Sequence, residues 1–187
     1  MVIDKNEIYN SGNIYFKNYI NFSIDEKKKI LEFRNHVSVR EMMLNKNIIE
    51  LDSHLKFIDK LSVDTKNFYW GVIRKGKLMG SIYMNDVDDQ QEKAFWGIFL
   101  DPNYVGSGIG FEIQFETLNL VFKTFGFNKI FGVVFKKNKN ALSIQSKFLF
   151  KTKENHEKHL LLELNTKDWM IFSKFNFKEF KRKIIIK

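Results

Sequence analysis

Cysteine is absent from the 187-residue chain and proline occurs once. Without thiols there is no disulfide, no thiolate metal site and no cysteine nucleophile. No apolar run approaches the roughly 18 residues that a membrane-spanning helix needs. The polar start from Met1 to Ser11 lacks the apolar stretch of a signal peptide, so a cytoplasmic location without membrane contact is expected. Internal repeats, low-complexity tracts and Gly/Ser linkers are missing too, which leaves one domain over residues 1–187.

What is present is a core-forming composition, 44% hydrophobic and 16% aromatic with 20 Phe. A chain of this size buries about 70% of the surface its unfolded form exposes, so it folds without a covalent or metal staple. The formal net charge of +9 is unevenly spread. Residues 1–127 carry 16 basic and 17 acidic side chains, and the remainder 15 and 5. A local basic patch suits phosphates of a small molecule. Specific nucleic-acid binding is not expected, because no aromatic platform or recognition helix accompanies the patch.

The pattern of elements predicts a mixed α/β sheet. Asn13 to Tyr19 alternates as a strand does. Ser23-Ile24-Asp25-Glu26 has capping-box spacing and opens a helix to about Arg34. Leu55, Ile58 and Leu61 recur on a helix that begins near Asp52 or Ser53. Phe68 to Ile73 and Leu78 to Tyr83 form a hairpin around Arg74-Lys75-Gly76-Lys77. An acidic loop, Asn85 to Glu92, precedes a strand from Ala94 to Leu100. The next helix carries Phe111, Phe115, Leu118 and Phe122 on one face and closes at Gly126. A strand from Lys129 to Phe135, a helix from Asn140 to Phe148 and a hairpin between Phe150 and Leu164 complete a core of about residues 13–165. Residues 166–187, with Trp169, Phe172, Phe175, Phe177 and Phe180 among Lys174, Lys178, Lys181, Arg182 and Lys183, read as a basic amphipathic C-terminal extension.

The segment from Asp101 to Gly110 carries the chemistry. Glycines at 106, 108 and 110, between a strand and a helix, let backbone amides converge at the positive end of a helix dipole, a phosphate-binding arrangement. No Lys-Ser/Thr pair follows the last glycine, and an antiparallel hairpin precedes the strand, so neither an NTP loop nor a dinucleotide fold is indicated. The loop resembles the acetyl-CoA pyrophosphate loop of the GNAT acetyltransferases, with Val105 where Arg or Gln is usual and Gly108 and Gly110 matching. Asn138-Lys139-Asn140-Ala141, followed by Lys147 and Phe150, resembles that family's second block. Leu31 to His36, Met42-Met43 and His54 to Leu61 are similar to the acetyltransferases of bacterial pseudaminic acid synthesis.

That resemblance implies a GNAT fold and an acetyl-CoA-dependent N-acetyltransferase without metal. Its acceptor would be the 4-amino group of a UDP-linked 4-amino-4,6-dideoxy sugar, and the amine would attack the thioester directly. The pantetheine arm would lie along Ile98, Phe99 and Leu100, and the phosphates on Val105, Gly106, Ser107, Gly108, Ile109 and Gly110, with Asn138 and Ala141 nearby. Arg34, Met43, His54, Phe57, Tyr83 and Phe95 would face the nucleotide sugar. Gln145 occupies the position of the family's usual Tyr acid, and a Gln amide donates a hydrogen bond but delivers no proton. Ser146 or water would then protonate the thiolate, and Asp86 is a candidate base.

Plainer roles stand beside these. Arg34 could pair with Glu32 or Asp59, His36 and His54 could bond neighbouring backbone, and Phe57 could belong to the core. His156 and His159 lack a third metal ligand nearby in sequence. An enzyme of the same fold acting on a protein N-terminus or another amino sugar, and a non-catalytic CoA-binding protein, remain alternatives; a homodimer is left open.

Overall fold

The computed structural model describes residues 3–171, 174 and 177–179. Eight strands form one sheet in the order β1-β2-β3-β4-β5-β6-β8-β7. They are β1 (Ile8–Ser11), β2 (Ile14–Asn18), β3 (Phe68–Arg74), β4 (Lys77–Asp88), β5 (Lys93–Leu100), β6 (Lys129–Phe135), β7 (Lys151–Asn155) and β8 (His159–Asn165). All neighbours are antiparallel except β5 and β6. Helices α1 (Ile24–Asn35), α2 (Val37–Arg40) and α3 (Leu51–Leu61) precede β3, while α4 (Ile109–Asn119), α5 (Lys139–Lys147) and α6 (Thr166–Met170) fall later.

Strand alternation divides the packing. Trp70, Val72, Ile82, Met84, Ala94 and Trp96 turn to the larger core with Phe115, Leu118, Phe148 and Trp169. A smaller cluster of Tyr19, Phe22, Ile30, Phe33, Ile58 and Leu61, joined by Tyr69 and Phe99, packs α1 and α3 on the other face. The sheet is therefore covered on both sides, as a mixed α/β domain requires.

Local signals explain several boundaries. Ser23 accepts the Glu26 amide and Glu26 reaches back to the Ser23 amide, so both halves of the capping box form and contribute about 1 kcal/mol. The helix after the glycine loop relaxes into a π-helical turn at Leu120–Thr124 before Gly126. Helix α3 starts at Leu51, ahead of the expected Asp52 or Ser53, and its N-cap Glu50 makes no side-chain capping bond. Strand β4 continues to Asp88, through the start of the expected acidic loop. A register irregularity between Asn85 and Asp88 absorbs Asp86 at φ +51°. Strand β1 and the short α2 had no sequence signal.

The expected C-terminal extension begins with α6, whose Trp169 is buried against Phe115 and Phe148. Phe177 packs on Phe111 and Phe115. Phe172, Phe175, Phe180, Lys181, Arg182 and Lys183 lie outside the described residues. Among the described residues no helix is long and apolar enough to cross a membrane.

Candidate active site

Two features meet at β5. The first is a split in the sheet. Strands β5 and β6 pair in parallel only from Lys93–Phe95 to Lys129–Phe131. Beyond that they run on to Leu100 and Phe135 without a ladder between them. The backbone of Ile98, Phe99 and Leu100 thus presents an unpaired strand edge, the kind of surface to which an amide-bearing chain adds as an extra strand.

The glycine loop stands where β5 ends. Asp101 Oδ1 accepts the Asn103 amide and starts a 3-10 turn that holds Pro102–Tyr104. Gly106 and Gly108 adopt φ of +82° and +80°, which a β-carbon would disfavour, and Gly108 is the N-cap of α4. The Ser107 hydroxyl folds back onto the Tyr104 carbonyl at 2.6 Å and receives the Ile109 amide at 3.4 Å. Val105, Gly106, Ser107 and Gly108 are exposed, and Ile109 and Gly110 half-buried. The loop has the shape and dipole to hold a pyrophosphate at the mouth of the split.

Across the split, Asn138 caps α5 by accepting the Ala141 amide at 3.1 Å. On the same helix Gln145 is buried, and its Oε1 accepts from Gln114 Nε2 of α4 at 3.1 Å. That bond uses the carbonyl and leaves the Gln145 amino group to donate elsewhere. Ser146 is exposed.

The second feature is a cleft of about 710 Å³ on the α1/α3 face of the sheet. Arg34 from α1, Met43, Leu44, Asn45 and Asn47 to Glu50 of the connecting loop, and Ser53, His54 and Phe57 from α3 form one side. Tyr19, Tyr69, Tyr83, Asn85 and Phe99 form the other. The loop is pinned by Asn35, which exchanges hydrogen bonds with the Ile49 backbone at 2.8 and 2.9 Å.

Five of the six residues expected to face the acceptor line this cleft: Arg34, Met43, His54, Phe57 and Tyr83. Phe95 is placed outside that lining, half-exposed at the narrow end of the split with its ring 5.6 Å from Phe131. Asp86 also lies outside the lining, exposed on the β4 irregularity, while its neighbour Asn85 turns inward. Tyr19, Tyr69, Asn85 and Phe99 complete a wall that sequence reasoning did not assemble, because their meeting depends on strand register.

The cleft's polar groups are incompletely satisfied by the protein. Arg34 Nη2 donates to the Asn45 carbonyl at 2.6 Å, but buried Nη1 has no partner. Neither expected carboxylate engages Arg34, and Glu32 pairs with Lys29 instead. Burial lowers the Arg34 pKa, but a guanidinium starts so high that it remains a cation.

His54 is buried, packs edge-on against Tyr19 with ring centroids 6.4 Å apart, and has an unpartnered Nε2. Burial pushes its imidazole below the ordinary value, against the pull of a hydrogen bond to the Lys27 backbone. His54 is therefore neutral at pH 7. Buried polar atoms without partners are uncommon, and both Arg34 and His54 line the cleft, where a bound molecule can complete their bonding. His36, by contrast, caps α2 by accepting the Ser38 amide. His156 and His159 stack on each other with centroids 4.6 Å apart. Among the described residues no group of three or more His, Cys, Asp or Glu is placed to hold a metal ion.

A split sheet with a glycine loop at its mouth, opening beside a cleft, suits transfer of an acyl group from a coenzyme A thioester to a second substrate. The chain belongs to the GNAT acetyltransferases: the family model described as "Acetyltransferase (GNAT) domain" matches residues 21–151. It is accordingly an acetyl-CoA-dependent N-acetyltransferase with the GNAT fold.

Among known proteins it is similar to the acetyltransferase PseH of Campylobacter jejuni subsp. jejuni serotype O:23/36 (strain 81-176). Identity is 26% over 152 residues, covering 80% of this chain and 94% of that protein. The crystal structure of Campylobacter jejuni N-acetyltransferase PseH in complex with acetyl coenzyme A superposes with a TM-score of 0.67 at 21% identity. That match covers 81% of this chain and 98% of the other. A Vibrio cholerae spermidine N-acetyltransferase in complex with CoA and spermine shares the fold, with a TM-score of 0.77 at 12% identity over 84% of this chain and 98% of that one.

Proposed function

We propose that the chain acetylates the 4-amino group of a UDP-linked 4-amino-4,6-dideoxy sugar, a step toward a pseudaminic-type nonulosonic acid. The observation that carries this reading is the pairing of two unsatisfied buried groups, Arg34 Nη1 and His54 Nε2, in a cleft that the uncapped first turn of α3 adjoins. Arg34 and the α3 amides suit a diphosphate. Neutral His54, with Nε2 unpartnered, offers a hydrogen bond to a polar group of the nucleotide sugar. Met43, Phe57 and the tyrosine wall suit the faces of a base and a deoxysugar. A polycationic acceptor finds only one carboxylate among the residues lining the cleft, that of Glu50. The PseH relatives and the ordered resemblance from Leu31 to Leu164 support the same acceptor.

The donor is held at the glycine loop, with the Asn138 to Ala141 turn nearby and the Ile98–Leu100 edge beside its arm. The acceptor amine loses its proton to water, since the Asp86 carboxylate is turned to solvent. Gln145, oriented by Gln114, donates its amide N–H to the departing sulfur. A thiol of pKa about 8.5 leaves as the thiolate near neutral pH and takes its proton from water, so neither Gln145 nor Ser146 has to be an acid.

Free CoA, followed with a thiol reagent, tests the reading. Acetyl-CoA is mixed with the UDP-4-amino sugar, spermidine, a peptide amine or no acceptor. Release that depends on the nucleotide sugar is expected. Faster release with spermidine or the peptide would overturn the acceptor assignment, and tight acetyl-CoA binding without release would favour a non-catalytic binder.

A further inference from the structure

Three residues form a row across the sheet. Tyr69 of β3 is the register partner of Tyr83 of β4, and Tyr83 is the partner of Gly97 of β5. The two phenol rings stack with centroids 5.4 Å apart at 24°. Tyr83 then leans across β5: a β-carbon at position 97 would collide with both its ring carbon Cζ and its hydroxyl oxygen. Glycine in an otherwise bulky strand segment, Phe95-Trp96-Gly97-Ile98-Phe99, is what lets the phenol lie on the backbone.

The next position in the row would be Val133 of β6, two residues beyond the Phe95–Phe131 pair. By then β6 has left the ladder. The Tyr83 hydroxyl thus lies over β5 just past the narrow end of the split, on the face that carries the acceptor cleft. It has no hydrogen-bond partner among the described residues.

We infer that the Tyr83 hydroxyl is a catalytic hydrogen-bond donor to the carbonyl oxygen of the thioester as negative charge develops there. The inference rests on the acetyltransferase reading of the split and deepens it. In the step, the neutral amine's lone pair forms the C–N bond to the carbonyl carbon, and the carbonyl π pair moves to oxygen, where Tyr83 donates while keeping its proton. Collapse restores the carbonyl, the C–S bond breaks and its electron pair leaves on sulfur. The nitrogen loses one proton to water and the thiolate gains one from water, giving the acetamide and CoA thiol.

Burial beside Tyr69 pushes the Tyr83 pKa up to about 12. A phenol this weak stays protonated at working pH and suits hydrogen-bond donation to an oxyanion. Delivering a proton to a thiolate whose acid has a pKa of about 8.5 would run uphill, so the role of general acid is disfavoured. Tyr69 acts through Tyr83, as a positioning residue.

The test compares Tyr83→Phe with the wild-type chain. Phenylalanine keeps the stacked ring and removes only the hydroxyl, so a packing role alone would survive. The expected result is a fall in kcat of about a hundredfold, the lower end of the range seen when one oxyanion donor is lost, with the acetyl-CoA dissociation constant unchanged. Tyr83→Leu is expected to lose at least as much activity and to shift acceptor KM as well, because the wall is lost with the hydroxyl. A Tyr83→Phe kcat within twofold of wild type would overturn the proposal.

Each variant is assayed with the UDP-4-amino sugar, with spermidine and a peptide amine, and for hydrolysis of acetyl-CoA by water. A wild-type chain that ignores the nucleotide sugar but turns over another of these overturns the acceptor reading, and Tyr83 is then judged on that reaction. A wild-type chain that turns over none of them overturns both.

Discussion

The two sides of β5 solve different problems. Toward the split, recognition is a matter of backbone: an unpaired strand edge, glycine amides and a helix terminus. Side chains there serve mainly to shape the loop, as Ser107 does, or to cap a helix, as Asn138 does. Toward the cleft, recognition is a matter of side chains, with Arg34, His54 and three tyrosines gathered from α1, α3, the Tyr19 turn, β3 and β4. A backbone site tolerates substitution wherever φ and space permit, which is how Val105 can stand in a loop that usually carries Arg or Gln. A side-chain site changes its ligand with one substitution. One chemistry can therefore be kept while acceptors diverge.

The sharpest way to break this contrast is to remove Arg34, which lines the cleft with Nη1 unpartnered. Arg34→Met keeps most of the apolar stem but leaves a diphosphate without its charged donor. The expected loss in kcat/KM for the nucleotide sugar is about a hundredfold, close to 3 kcal/mol, with acetyl-CoA affinity unchanged by titration calorimetry. Equal loss of both affinities would show that the two halves are not separable.

Next in size is a test at the boundary. Gly97→Ala drives a methyl into Tyr83 and is expected to cost about 1–3 kcal/mol of stability, the usual penalty for overpacking, measured by denaturant unfolding. In a Tyr83→Ala background, where the clash is gone, the same Gly97→Ala change should cost less than it does in the wild-type chain. An equal cost in both backgrounds would place the penalty in β5 itself.

Much of the secondary structure, and the donor loop with it, is legible in the amino-acid sequence, because those signals are local. The capping box, the hairpin around Gly76 and the glycine loop each lie within a few consecutive residues, and the bounds expected for the strand Lys129–Phe135 are the bounds observed. The acceptor half is legible only through its resemblance to known enzymes. Tyr19, Tyr69 and Asn85 give no sign of sharing a site, since that depends on how β2, β3 and β4 register against one another. Gly97 is the one local clue, a glycine among bulky strand residues, and it signals a close approach without naming the side chain that makes it. The split itself is a tertiary property: β5 and β6 each look like ordinary strands, and nothing within either says that their pairing stops after three residues.

A pH series sharpens the account of His54. Its folded-state pKa lies below the unfolded value of 6.5, so between the two the unfolded chain binds more protons and stability rises with pH. The contribution is complete above about pH 6.5 and is lost as pH falls through the folded value. His54→Gln is expected to flatten the acid side of the stability profile measured by chemical denaturation between pH 4.5 and 7.5. An unchanged slope would mean that the imidazole is not held neutral by burial.

The smallest expected effect lies on the backbone side. Val105 is 60% exposed at the start of the glycine loop, so a longer side chain there displaces nothing. Val105→Arg adds a cation within reach of bound phosphates, an exposed interaction worth about 0.3–1 kcal/mol at low salt. Acetyl-CoA should therefore bind up to about fivefold tighter, and the gain should vanish as ionic strength rises and screening takes over. With the amides proposed to hold the pyrophosphate, kcat should not move. A gain far beyond fivefold would mean that the loop as it stands lacks a phosphate contact and that side chains matter on this side of β5 as well.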